Sequence, residues 1–523
     1  MTIEDPAERG FTTDQDDPAD TYEVDEHGTD GLTPEVIGME PASAAVIAPA
    51  EKPRTHPPHV ADLSFLDVRP GPGMPREYHF PRFERHRLAN GMTVLHAHVP
   101  GRALIAVQLL LPGGGWTEPT DLRGVTVLTG RAMVEGTLRR DANEFIESAE
   151  RLGAEIHADA TWEALSASLE VPRSRFGAAL ALLAEMVFEP AFPEAEVNRL
   201  REERLNDLLQ AWSDPRRRAE RVFPETIFTP DIPYRRPLGG IQSTVGRIDR
   251  EALVERHHGL LDPATATLIV AGDLSGTPLV ELAEEHLGGR SVPKDQTTTG
   301  GGEPDGPRAA DGHGGRVVLV DRPGAPQSEL RIGHVGVRRK MPDFHAISVL
   351  NAILGGTFNS RLNRIIREER GYTYGITSSF EMRRSRGPFV IRAAVETAVT
   401  VPAILETLQI VRDFVEAEAH EDELTVARDY LVGVFPLRFE SAAQVASALG
   451  GLTVFELPDD ELDRYRPQVA AVTAADILAA ARRHIRPDEL SVVVIGDAEK
   501  VEPALSAAAL GELTVIPKEA TPE

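Results

Sequence analysis

The sequence predicts an α+β protein built from two homologous lobes, each a sandwich of helices against a sheet. Three observations predict it. First, 523 residues exceed what one hydrophobic core serves, so the chain divides into domains. Second, landmarks recur in the same order at nearly one offset. Pro100-Gly101 and Pro323-Gly324 lie 223 positions apart; Gly272-Asp273 and Gly496-Asp497 lie 224 apart. Between them, the apolar stripe Phe176, Leu180, Leu183, Val187 is repeated 228 positions later by Ile404, Leu408, Val411, Val415. Such a repeat is the mark of a duplicated unit. Third, strands and helices alternate irregularly, with some strands joined directly, which points to helices gathered on one sheet face.

In chain order, residues 1–79 are rich in Asp, Glu, Pro and Thr and poor in large apolar residues. Such a segment cannot bury enough surface to offset its ordering entropy, so an acidic, disordered tail is expected. The first lobe is read as 80–292. It opens strand, Pro-Gly turn, strand (VLHAHVPGRALIAVQLLL). Asp141 and Glu144 form a capping pair for a helix carrying Phe145, Ile146, Ala149 and Leu152, which stops at Gly153. A strand-like stretch, AEIHADATWEALSASLEV, precedes the helix of the first apolar stripe. Residues 293–315, rich in Gly and Pro, read as a flexible linker. The second lobe, 316–518, opens with VVLVDRPGAPQSELRIGHV and closes with LSVVVIGDA.

Composition excludes several functions. The net charge of −27 argues against nucleic acid, whose phosphates need a basic face. It serves solubility and is compatible with cationic or unfolded peptides. No run of 18 apolar residues is present to span a bilayer, and the start MTIEDPAERG has neither a basic nor an apolar leader region. Cysteine is absent, which removes disulfides, thiolate metal sites and thiol nucleophiles. A cytoplasmic location is expected.

The segment GGTFNSRLNRIIREERGYTYGITSSF, Gly355 to Phe380, closely resembles the second-half signature of the M16 peptidase family, which includes pitrilysin, insulinase and the mitochondrial processing peptidase. LANGMTVLHAHVPG, GVTVLTGRAMVEGT and DIPYRRPLGGIQSTVGRIDREALVERHHGLLDPATATLIVAGDL extend the resemblance over about 84–515. It implies the same duplicated lobes that the repeat predicts, in a clam-shell metallopeptidase fold. Family members that cut peptides carry His-x-x-Glu-His on a first-lobe helix, whose two histidines hold zinc while the Glu activates its water. Aligning Gly124 and Gly136-Thr137 puts that motif on Val127-Leu128-Thr129-Gly130-Arg131. Val127, Gly130 and Arg131 therefore stand where His, Glu and His are needed. The family's distal carboxylate falls near Asn206-Asp207, and one carboxylate cannot make a zinc site. This chain is expected to bind no metal of its own.

Other histidines offer no replacement. His257 and His258 are adjacent and diverge by about 100° on a helix. His96 and His98 share one strand face, with nothing acidic beside them in sequence. Glu135 reads as a surface residue.

What the resemblance retains lies in the second lobe. It implies that Arg367 and Tyr374, seven residues apart, hold a substrate backbone and support charge at the scissile carbonyl. Read from the residues, Phe358, Leu362, Ile365 and Ile366 bury one helix face, and Gly371 permits the exit turn. Tyr372, Tyr374, Ile376, Ser378 and Phe380 then share a strand face, so that Arg367 and Tyr374 converge. Arg361, Arg364 and Tyr372 are candidates to line a peptide chamber, and Gly355-Gly356 to form a loop beside it. Helix-end charge complementation and core packing are the structural alternatives for Arg367 and Tyr374.

The expected function is the non-catalytic, substrate-binding subunit of a heterodimeric zinc metallopeptidase. A catalytic partner bearing His-x-x-Glu-His would supply the zinc, and the substrate would be a peptide or unfolded polypeptide. A structural or peptide-binding homolog without proteolysis, and a subunit of a peptide-maturation protease, are the alternatives.

Overall fold

A computed structural model describes residues 73, 76–290 and 315–518. Most of the acidic segment 1–79 and of the linker 293–315 lies outside these residues. Among the described residues, no helix is long and apolar enough to cross a membrane.

The two halves each fold around a six-stranded sheet. In the first half these are β1 (Phe83–Arg87), β2 (Thr93–His98), β3 (Leu104–Pro112), β4 (Glu155–Ala160), β5 (Ala164–Pro172) and β6 (Thr267–Gly272), in the order β1-β2-β6-β3-β5-β4. In the second they are β7 (Arg316–Asp321), β8 (Gln327–Val335), β9 (Thr373–Phe380), β10 (Pro388–Glu396), β11 (Ser491–Gly496) and β12 (Glu512–Ile516), in the order β12-β7-β11-β8-β10-β9. Five strands correspond one to one, as the repeat predicts. The Pro-Gly turns match too: Gly101 and Gly324 both adopt left-handed backbone, at φ 76° and 74°. That region is costly for any residue with a Cβ, which is why glycine follows proline twice. The sixth strand differs. β1 precedes the unit and runs antiparallel to β2, whereas β12 follows it and runs parallel to β7.

The first-half helices begin with α1 (Val125–Met133), α2 (Ala142–Leu152), α3 (Phe176–Phe188), α4 (Glu194–Ser213) and α5 (Pro215–Ile227), and further helices follow at Gln242–Val245, Arg250–Leu260 and Leu279–Ala283. The α2 capping box is formed by Asp141 and Glu144, and Gly153 closes the helix at φ 64°. The stretch 154–171 is a hairpin of β4 and β5 rather than one long strand. The stripe on α3 is fully buried; in the second half Ile404, Leu408 and Val411 are buried and Val415 is partly so.

Each half supplies a helix that covers the other half's sheet. Helix Ala442–Val454 lays Ala442, Val445, Ala446, Leu449 and Leu452 on Leu95, Ala97, Ala106, Leu110 and Ile269 of the first sheet. Gly450 permits the close approach, since a Cβ there would sit 2.5 Å from Gln108 Oε1. In return, α5 packs Ala219, Val222, Phe223 and Ile227 on Val318, Val320, Val335, Val390, Val493 and Ile495. The helices of each half thus gather on one face of its own sheet as expected, and a helix from the other half closes the second face. Arg331, 1% exposed on β8, sits in this seam and pairs with Glu220 of α5 and Glu329 at 3.0 Å each. Residues 76–80 also reach across: Tyr78 stacks on Phe439, and the Phe80 amide donates to Asp463.

Candidate functional site

Arg367 and Tyr374 stand on a helix–turn–strand unit whose backbone departs from regular geometry at three points. The helix widens into a π-helical segment over Asn363–Glu369, where the Arg370 amide donates to the Ile365 carbonyl five residues back at 3.0 Å. Such segments are rare and cluster at functional sites. Gly371, at φ 66°, then turns the chain out of the helix. The third departure is a bulge in β9. Ile376 pairs with Ala393 and Thr373 with Val395, so Tyr374 and Gly375 together face Ala394. A bulge of this kind re-aims a side chain.

This bulge corrects the expected strand pattern. Under strict alternation Tyr374 would share the buried face of Ile376 and Ser378. Instead those two are buried while Tyr374 is 95% exposed. Thr373 clasps the bulge: its hydroxyl donates to Ala394 O at 2.6 Å and receives the Gly375 amide at 3.1 Å. Asn363 then locks helix to strand. Its amide donates to Ile376 O at 2.8 Å and accepts from Ile376 N at 3.2 Å.

The result brings Arg367 and Tyr374 together. The guanidinium carbon lies 5.8 Å from the Tyr374 ring centre and 4.3 Å from that of Phe358. Its nearest carboxylate is Glu368 at 3.8 Å, and among the described residues no hydrogen bond ties it down. Phe358 was expected in the buried face; it lies in the turn before the helix, 64% exposed. Phe358 also borders a pocket of about 390 Å³, together with Val426, Tyr430, Asp422 and Glu423.

The remaining candidates behave differently. Arg361 is committed to Glu423 through two bonds of 2.8 and 2.7 Å and lies against the Phe414 ring, so it braces the core rather than lining a chamber. Arg364 is exposed and pairs with Glu369 at 3.4 Å. Tyr372 is half-buried against the core. Gly355 and Gly356 end a π-helical turn, Ala352–Gly356, rather than forming a loop. A Cβ on Gly355 would meet the Ser378 amide at 2.7 Å, so this glycine allows helix and strand to touch.

In the first half, the residues aligned with the zinc motif lie on α1. Its amino end is capped from outside, by the buried Glu118 carboxylate accepting from Gly124 N and Thr126 N at 2.9 and 2.7 Å. Burial pushes that carboxyl up, while the two amides hold it down. Val127 is half-buried, and Gly130 packs tightly against the sheet, where a Cβ would lie 3.0 Å from Leu165 Cδ1 and 3.1 Å from Ala158 O. Arg131 bonds Glu203 of α4 at 2.9 Å. Asp207, near the distal-ligand position, is taken by Arg204 at 2.5 Å and Arg217 at 2.6 Å. Glu135 pairs with Arg199 at 2.7 Å. A saturated ion-pair network therefore occupies this face. No two of the sixteen histidines stand four apart anywhere in the sequence, so no helix can present the paired ligands. His257 is a core histidine, its Nε2 2.8 Å from Val187 O, and burial lowers its pKa to about 4.

Sequence reasoning missed a cavity of about 600 Å³ where the halves meet, lined by Trp116, Trp162, Glu163, Tyr234, Arg384 and Arg486 among others. Glu163 is raised by burial, and Arg383 stacks over Tyr234 at 4.3 Å. Asn363 and Thr373 were also missed, and no local signal marks either.

Comparison with known proteins agrees with this fold. A model described as insulinase (peptidase family M16) matches residues 93–232, and one described as the peptidase M16 inactive domain matches 247–431. An uncharacterised zinc protease of Mycobacterium tuberculosis is 25% identical over 419 residues, covering 79% of this chain and 92% of the relative. The non-peptidase homolog YmxG of Helicobacter pylori is 21% identical over 404 residues, covering 75% and 89%. Among solved structures, a peptidase M16 inactive domain from Pseudomonas fluorescens superposes with a TM-score of 0.70 at 23% identity, covering 79% of this chain and 98% of that one. A protease from Helicobacter pylori superposes with 0.72 at 17%, covering 80% and 100%. With two M16 models matched in succession, over residues 93–232 and 247–431, the chain belongs to the M16 peptidase family, with Val127, Gly130 and Arg131 where the family's zinc motif would fall.

Proposed function

We propose that this protein is the substrate-binding, non-catalytic subunit of a two-chain M16 zinc peptidase. The observation that carries the reading is the Arg367–Tyr374 pair, held together by a bulge and a widened helix, with Arg367 meeting only a long 3.8 Å ion pair to Glu368 and two ring contacts. Tyr374 is 95% exposed and the Arg367 side chain 26%, and such costly local geometry around the two gains nothing evident for stability. They are suited to an external carbonyl. A charged donor to a carbonyl contributes roughly 1.5–3 kcal/mol. Arg367 would grip the substrate backbone, and the Tyr374 hydroxyl would donate to the oxygen on which charge develops. The partner would supply His-x-x-Glu-His and the zinc whose water attacks, with the two chains enclosing a peptide or unfolded segment in the cytoplasm. The exposed Phe358 and its adjoining pocket would form part of the enclosing wall.

The test is peptide hydrolysis by this chain, by an M16 chain from the same organism that carries the motif, and by the mixture. Cleavage by the mixture alone is expected, with loss of the zinc held by the partner's motif abolishing it. Arg367→Ala or Tyr374→Phe should lower the rate of the mixture by about 10²-fold, the usual loss for one oxyanion donor, without shifting the melting temperature. If the mixture does no better than the partner alone, the chain is a peptide-binding or structural homolog.

A further inference from the structure

The hairpin of β1 and β2 carries a constellation that the peptidase reading does not use. Glu84 and His86 alternate onto one face of β1, and Glu84 stands directly across from His96 of β2. Three ligand atoms converge there: the Nε2 atoms of His86 and His96 lie 3.1 Å apart, and Glu84 Oε2 is 3.7 Å from the first and 3.8 Å from the second. His98, two residues on from His96, stays out of this cluster and accepts the Leu274 amide. The acidic group absent beside His96 in sequence arrives from the opposite strand.

We infer that Glu84, His86 and His96 form a binding site for a divalent transition cation of the zinc class. The dimensions support this. Ligand atoms about 2.0–2.1 Å from a tetrahedral zinc stand roughly 3.4 Å apart, and the three observed separations bracket that value. Two imidazoles with one carboxylate favour zinc, copper or nickel over magnesium or calcium. The surroundings leave the site to a cation. Arg85 projects to the other face, where it forks onto Asp459, and Arg87 bonds Gly91 O, so neither guanidinium competes for Glu84. The His96 side chain is 18% exposed, so the ligand atoms sit at the edge of the sheet's packed face. Glu84, 73% exposed, leaves a side open to entering metal and to water as a fourth ligand.

The placement gives the site a role in holding the edge strand. β1 is five residues long and has no counterpart in the second half. A cation bridging Glu84 and His86 to His96 would clamp it to β2 from one face, while Arg85–Asp459 ties it to the second half from the other. Binding to the folded chain alone would then stabilise it by mass action.

The experiment is titration of the metal-stripped full chain with zinc, by calorimetry and by thermal shift. One equivalent bound and a raised melting temperature are expected. His86→Ala and His96→Ala should each weaken binding by about 100-fold and abolish the thermal shift. Glu84→Gln should weaken it by about tenfold. His157→Ala, an exposed histidine on β4 of the same sheet, should change neither readout. The inference is overturned if the wild-type chain takes up no zinc at about 100 µM, or if the His86 and His96 variants bind as the wild type does. Neither readout depends on peptidase activity or on a partner.

Discussion

The two halves repeat one unit, a helix closed by a left-handed glycine and followed by an edge strand, and use it in opposite ways. In the first half, α2 ends at Gly153 (φ 64°) and β4 pairs with β5 in unbroken register. In the second, the helix ends at Gly371 (φ 66°), but it is π-wound and β9 is bulged. The polar groups differ in the same sense. Around α1, Arg131, Glu203, Asp207, Arg204 and Arg217 satisfy one another, while Arg367 and Tyr374 remain available. The same unit is thus regular in the first half, while in the second a bulge turns Tyr374 out of the buried strand face.

The largest effect tests whether the halves are separable at all. Phe223→Ala removes a fully buried ring that α5 places on the second half's sheet. It should cost about 3–5 kcal/mol in denaturant unfolding, with a single transition retained. Two transitions, or a loss under about 1 kcal/mol, would mean that the cores are independent and the helix exchange is incidental. Next comes restoration of the motif by Val127→His, Gly130→Glu and Arg131→His. Any side chain at 130 overpacks against Leu165 and Ala158. The triple variant should therefore lose about 1–3 kcal/mol and gain no zinc at α1 over the wild-type chain by metal analysis. Stoichiometric zinc bound there would show that only ligand identity, not shape, separates the halves. The smallest effect concerns the bulge. Thr373→Val keeps the volume and removes the clasp, and should lower activity of the mixture about tenfold through kcat with little change in KM. An unchanged rate would mean that the bulge holds Tyr374 outward without its threonine.

Much of the fold was legible because its signals are local. The capping box at Asp141, the glycine at 153 and the Pro-Gly turns are each decided within a few residues. The apolar stripes mark helices by period alone. Arg367 and Tyr374 were found through resemblance and spacing. Their convergence was expected for the wrong local reason, since strand alternation would have buried the tyrosine. Arg361 looked like a channel residue because Glu423, its partner, lies 62 positions away. The Glu84–His86–His96 cluster was invisible because cross-strand register depends on where the hairpin turns, which composition does not state.

The sequence by itself determined the duplication, the alternation of helices and strands, the missing zinc motif and the spacing of Arg367 and Tyr374. All follow from short-range periodicity, turn chemistry and residue identity. Only the tertiary structure decided that each half covers the other's sheet, that Asp207 and Arg131 are already paired, and that Tyr374 faces solvent. These outcomes depend on which distant side chains meet and on how one extra residue is accommodated in a ladder. Both are settled by packing and register across the chain, beyond the reach of any local signal.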